Sequence, residues 1–219
     1  MFELLSFPLL ATGLGLGLLH AFDADHIMAV SALASDDKKT KAITRYASMW
    51  AVGHGSVLLL MGCVAILFGL AFPKALSLWA EFFVGLMLIA LGFYSLWSLH
   101  KQRLQIKIHS HGDIHHAHYV VKESNNHDHR PLFVGVAHGA AGSAPALALL
   151  PAINQQSAAS TLLYLVIFSL GVLSSMTIFG TLLAYAQKGM GRIHTHLVDT
   201  FRAGISIATI LLGFYWISA

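Results

Sequence analysis

Four ionisable side chains fall within seven residues of an otherwise apolar stretch, in the order His20-Ala-Phe-Asp23-Ala-Asp25-His26. Imidazole and carboxylate together suit first-row divalent metals, among them nickel, cobalt, copper and zinc. On a regular helix, at about 100° per residue, His20, Asp23 and His26 follow one stripe roughly 120° wide and Asp25 points elsewhere. Asp25 then either orients a histidine from behind, or the helix is distorted so that all four groups converge. His54 adds an imidazole between Gly53 and Gly55, glycines that admit a metal or a neighbouring helix. His138 heads the run HGAAGSAP, whose small residues and Pro145 point to a broken helix, with Ser143 and Asn154 as weak oxygen contacts. The expected metal set is therefore His20, Asp23, Asp25, His26, His54 and His138, with no catalytic set.

These residues must be positioned by membrane-spanning elements. Of 219 residues 56% are hydrophobic and only 11% charged, where a soluble domain carries roughly 25% charged residues. Six apolar runs are each long enough to cross a bilayer, which takes about 20 residues. They run from Leu4 to Ala34, Tyr46 to Leu70, Leu76 to Leu99, Leu132 to Ile153, Ser160 to Gln187 and Leu197 to Ser218. Only helices and closed barrels satisfy their backbone in lipid, and these runs are too long for barrel strands. The expected fold is an all-α integral membrane protein. Apolar residues resume at Ile27, so the polar cluster lies inside the first span rather than beyond its edge. Ionisable groups at that depth usually mark a pathway or site.

Charge placement sets an orientation. Twelve of the 13 Lys and Arg residues flank the first, third and fifth connections, and only Lys74 falls on the other side. By the positive-inside rule those connections face the cytoplasm and both termini lie outside it. A net charge of +3 explained in this way gives no reason to expect nucleic acid. The opening MFELLSFPLL lacks a basic start and a small-residue cleavage pattern, so no cleaved signal peptide is expected. Cys63 has no second cysteine to pair with and is expected to pack in the apolar interior. Glu81 and Arg202 are expected near membrane edges, without chemistry.

The two halves of the chain are similar. GLLHAFDADHIMAVSAL from Gly17 aligns with GVAHGAAGSAPALALLP from Gly135, which sets His20 over His138 and, at the same offset, Gly53 over Gly171. LGFY recurs at Leu91 and Leu212, three residues off that register. Three spans per unit invert the second unit, so six transmembrane helices are expected as two inverted three-helix repeats. These are residues 1–99 and 132–219, joined by a segment at 100–131. In such transporters the site lies near mid-membrane at the repeat interface. The first and fourth helices are expected to face each other there.

The connecting segment holds eight histidines between His100 and His129, and histidine-rich tracts commonly bind metal. Alternation through Leu104–Ile108, a turn at Gly112-Asp113 and a return through Tyr119-Val120-Val121 predict a hairpin. Pairing His109 with His118 and His111 with His116 would make a second metal site of four imidazoles on one face. The alternative is a disordered, weakly chelating tail.

The motif HAFDADHI resembles the signature of the nickel/cobalt transporter superfamily. GHGS at Gly53 and AHGAAGSAPAL at Ala137 are similar to its short, six-span, urease-accessory-type nickel permeases. The resemblance covers most of the chain. It implies a nickel or cobalt permease of the bacterial inner membrane, with His20, Asp25 and His26 in metal recognition and the ion as cargo rather than cofactor. Zinc is a third candidate cargo, and a cytoplasmic metallochaperone a candidate partner. A histidine-rich cytoplasmic loop is shared with exporters of the superfamily, which keeps direction open.

No GxxxxGK[ST] or HExxH pattern occurs, so neither a nucleotide-driven pump nor that type of zinc hydrolase is indicated. The membrane potential alone favours inward movement of a dication by about 4.6 kcal/mol per 100 mV. Uptake is thus the leading expectation. Proton-coupled export and a membrane-bound delivery or sensor protein are the alternatives.

Overall fold

The computed structural model describes residues 7–34, 39–68, 74–104, 106–111, 114–119, 128–141 and 158–218. Seven helices and one hairpin occur among them. The helices are α1 (Phe7–His20), α2 (Ala24–Ala34), α3 (Thr40–Phe68), α4 (Lys74–Leu104), α5 (Arg130–Ala141), α6 (Ala158–Ile193) and α7 (Thr195–Ser218); the strands are β1 (Ile106–His111) and β2 (Ile114–Tyr119). Four of the helices, α3, α4, α6 and α7, are long and apolar enough to cross a membrane. The first expected span is not continuous: residues 21–23 break it into α1 and α2. The fourth begins as α5, which ends at Ala141; Ser143, Pro145 and Asn154 lie outside the described residues.

The bundle exposes large apolar side chains and buries several polar ones within an otherwise apolar core. Leu60, Leu67, Phe68, Phe133, Leu182 and Leu211 are exposed, while Asp25, His26, His54, His138, Ser206 and Arg202 are buried. A solvent of lipid tails rewards that distribution and water does not. Arg202 is buried among the helices, and its guanidinium donates Nε and a terminal NH2 to Gln187 Oε1 at 3.3 and 3.0 Å. Hydroxyl pairs tie the helices where no hydrophobic force would: Ser95 with Ser206 at 2.7 Å, Ser48 with Thr177 at 3.1 Å and Thr44 with Thr181 at 3.2 Å. Cys63 is half-buried and unpaired.

Glycine sets which helices touch. Gly17 of α1 lies against the Phe168 backbone carbonyl of α6, and Gly135 of α5 against the Trp50 carbonyl of α3. In return Gly171 faces Leu14 and Leu18, and Gly53 faces Leu132 and Val136. Between α4 and α7, Gly92 meets Ser206 and Ile210, while Gly213 meets Gly85 and Ile89. α1 packs chiefly on α6 and α5 on α3, while the first and fourth expected spans meet at Asp25, His26 and His138. The backbones approach this closely only where a Cβ is missing.

β1 and β2 pair antiparallel, with His109 opposite His116, Lys107 opposite His118 and His111 opposite Ile114. The expected pairs, His109 with His118 and His111 with His116, are thus replaced by a register two residues shorter. The observed pairing leaves two residues between the paired strands, the spacing that hairpins favour, whereas the expected pairing leaves four.

At the head of α5, Asp128 accepts from the Arg130 amide at 3.0 Å and from its guanidinium at 2.9, 3.0 and 2.6 Å. Pro131 follows in the first turn, where its missing N–H costs nothing, and Arg130 also reaches the Tyr94 hydroxyl on α4. Partial burial works to raise the Asp128 carboxyl, but the Arg130 donors outweigh it and hold it below the ordinary carboxylate value. The pair therefore adds stability above the unfolded value, about 3.9, and loses it as pH falls through the lowered value. Asp128→Asn is expected to cost about 1 kcal/mol at neutral pH, because Arg130 is half exposed. The loss vanishes in acid, which thermal unfolding in detergent at pH 7 and below pH 3 checks.

Candidate metal site

The break at residues 21–23 builds the site. α1 ends at His20, Asp23 accepts the backbone amide of Ile27 at 3.1 Å to start the next turn, and Asp25 lies in the first turn of α2. His20 sits in the last turn of α1, and His138 in the last turn of α5. Carboxylate at a helix N-terminus and imidazole at a C-terminus both agree with the helix dipole. α3 brings His54 to the same place, and Gly139 lets α5 approach, since a Cβ there would lie 2.8 Å from the His54 carbonyl.

Five of the six expected residues converge. The His26 ring centroid is 4.5 Å from that of His20, 4.8 Å from His54 and 4.8 Å from His138. His20, His26 and His54 form one set of possible metal donors, and Asp25, His26 and His138 another, each with its ligand atoms within 4.8 Å of one another. Two donors on opposite sides of an ion at ~2.1 Å are ~4.2 Å apart, so closure onto an ion needs only small shifts.

Carboxylates hold one nitrogen on each of two rings. His138 Nε2 donates to Asp25 Oδ2 at 2.8 Å, and His20 Nδ1 donates to Asp23 Oδ2 at 2.8 Å. The other nitrogen of each ring, Nδ1 of His138 and Nε2 of His20, is buried without a hydrogen-bond partner. Both nitrogens of His54 and Nδ1 of His26 are in the same condition. A carboxylate on one imidazole nitrogen leaves the lone pair of the other for a metal. Buried polar atoms are rarely left unpaired, and among the described residues five such atoms sit on these four neighbouring rings.

Asp23 takes a different role from the one its position on a regular helix implies. Its side chain is 49% exposed and meets the cluster only through His20, because the helix ends before the stripe continues. Asp25 is buried and turned inward on His138. Asp23→Ala is accordingly expected to weaken metal binding no more than about 10-fold, and Asp25→Ala by up to about 100-fold. Titrating purified protein with nickel measures both.

Trp50 was not among the expected residues. Its indole is fully buried, stacks on His54 at 4.9 Å and 13°, and meets His26 and His138 edge-on at 5.0 and 5.3 Å. The sequence signal is its spacing of four residues before His54, one turn along the same face. Phe168 lies beside His20 at 5.5 Å in the matching way. Both aromatics are buried against the imidazoles.

The chain matches, over residues 12–215, the family described as the cytochrome c biogenesis protein transmembrane region. It is also similar to the urease accessory protein UreH of Bacillus sp. (strain TB-90), with 34% identity over 177 residues, covering 80% of this chain and 75% of that protein. No solved structure matches significantly.

Proposed function

Because this chain belongs to the cytochrome c biogenesis transmembrane-region family and to the UreH-like proteins, we propose that it is a multi-pass membrane permease for nickel or cobalt. The ion passes through His20, Asp25, His26, His54 and His138. The carrying observation is that four neighbouring imidazoles each carry a buried nitrogen without a hydrogen-bond partner. The relative's printed name, a urease accessory protein, agrees with the short urease-accessory-type permeases that HAFDADHI resembles, which supports a place in the nickel/cobalt transporter superfamily.

The family description also raises a role in cytochrome c maturation. That haem attaches at a Cys-x-x-Cys-His motif, and handling such thiols within one chain takes a cysteine pair. This sequence has one cysteine. Four histidines gathered at a helix break serve a metal ion and have no use in thiol exchange.

Two inverted three-helix units, six spans in all, complete the proposal. Each seam occurs twice: Gly17 on Phe168 and Gly135 on Trp50 correspond at the 118-residue offset, and Gly92 on Ile210 and Gly213 on Ile89 at the LGFY offset. Interlocked equivalent contacts of this kind support a repeat. The excess of Lys and Arg on one side supports both termini outside the cytoplasm of a bacterial inner membrane. The hairpin and its histidines then face the cytoplasm, where they can take up arriving metal or pass it to a metallochaperone.

Uptake is the direction the membrane potential drives without further coupling. Cells producing the chain are expected to accumulate nickel faster than cells producing His54→Ala at equal membrane levels. Equal accumulation, with metal still held by the purified protein, would instead favour delivery or sensing.

A further inference from the structure

The five inward donors do not form a single set. They divide into His20 with His26 and His54, and Asp25 with His26 and His138, with His26 common to both. We infer that the site holds one ion at two alternative positions that share His26, a three-imidazole position and a carboxylate-containing position, and that transport hands the ion from one to the other. This rests on the permease reading and deepens it by giving the ion's steps.

Three features separate the two positions. His20 borders Asp23, whose side chain is 49% exposed, while Asp25 and His138 are buried, so the His20 position is the one nearer an exposed group. Its three donors are neutral imidazoles when they bind a metal, whereas Asp25 brings a formal negative charge to the other. A dication that takes the place of the proton between His138 Nε2 and Asp25 Oδ2, releasing that proton, therefore rests more stably on Asp25, His26 and His138. His54 and His138 have ring centroids 5.8 Å apart, against 4.8 Å from His26 to either, so His26 is the ring that keeps hold of the ion during the move. Two dications sharing one imidazole would repel strongly at such a separation, which limits the cluster to one ion at a time.

Cobalt(II) is the probe, because its visible absorption reports ligand type. The purified full chain is titrated with cobalt in detergent, and the same variants are assayed for nickel flux in proteoliposomes. Wild type is expected to bind one cobalt with a carboxylate-containing spectrum. His138→Gln moves the ion to the His20 position, with an altered spectrum, affinity lower by about 10- to 100-fold and no flux. His20→Gln keeps the wild-type spectrum but slows flux about 10-fold or more. His26→Gln loses both. Two cobalt ions bound at once would overturn the inference, as would one identical spectral change and loss in all three variants, which marks a single joint site. The spectra answer this whether or not nickel crosses the membrane, and the absence of wild-type flux would count against the permease reading alone.

Discussion

Replacing His26 with alanine removes metal binding more completely than any other single substitution in the cluster. His26 belongs to both donor sets, and its ring lies 4.5–4.8 Å from those of His20, His54 and His138. Each remaining set would keep two donors, too few to replace the hydration shell of a strongly hydrated dication. Loss of a group that only supports a ligand costs about 10- to 100-fold in affinity, and loss of a ligand shared by every arrangement exceeds that range. Nickel titration of the purified protein by calorimetry is expected to show a loss above about 100-fold. The fold should survive, because alanine at a buried position of α2 removes no hydrogen bond that α2 itself needs. A loss equal to that of Asp23→Ala would mean that His26 only packs.

The second large effect is on the scaffold. Gly135→Val places a side chain where the Trp50 backbone carbonyl already lies, an obstacle that cannot swing away as a side-chain tip can. Overpacking of a tight interior costs about 1–3 kcal/mol and sometimes more. The displacement also reaches the metal donors, since Gly135 lies one turn from His138, and Trp50 one turn from His54. Stability and metal binding should therefore fall together. Gly15 is the control on the same type of segment: nothing lies within 4 Å of a Cβ built there, so Gly15→Ala is expected to be neutral or to gain up to about 1 kcal/mol. Thermal unfolding in detergent with and without nickel distinguishes the two. If both glycines tolerate substitution equally, the seams are not as close as described.

The site was largely legible because its residues are expensive where they sit. His20, Asp25, His26, His54 and His138 stand out against apolar surroundings, and lipid excludes such groups unless they have work to do. Geometry was less legible. A regular helix puts Asp23 in the site and Asp25 outside it; the break at residues 21–23 exchanges them, and no single residue between His20 and Asp25 forces a break. Trp50 escaped notice because an aromatic in an apolar helix is ordinary, and only its contact with three imidazoles marks it. The hairpin was anticipated from alternation, but periodicity of two cannot choose between registers that differ by two, and the shorter connection decided it.

The central claim, that metal crosses the membrane through this cluster, is tested most directly by radiolabelled nickel uptake into proteoliposomes under an imposed inside-negative potential. Wild type is predicted to accumulate nickel and to stop when the potential is collapsed, Asp23→Ala to retain substantial uptake, and His26→Ala to show none. Uptake by His26→Ala at the wild-type rate, or a wild type that binds nickel yet never moves it, would contradict the account.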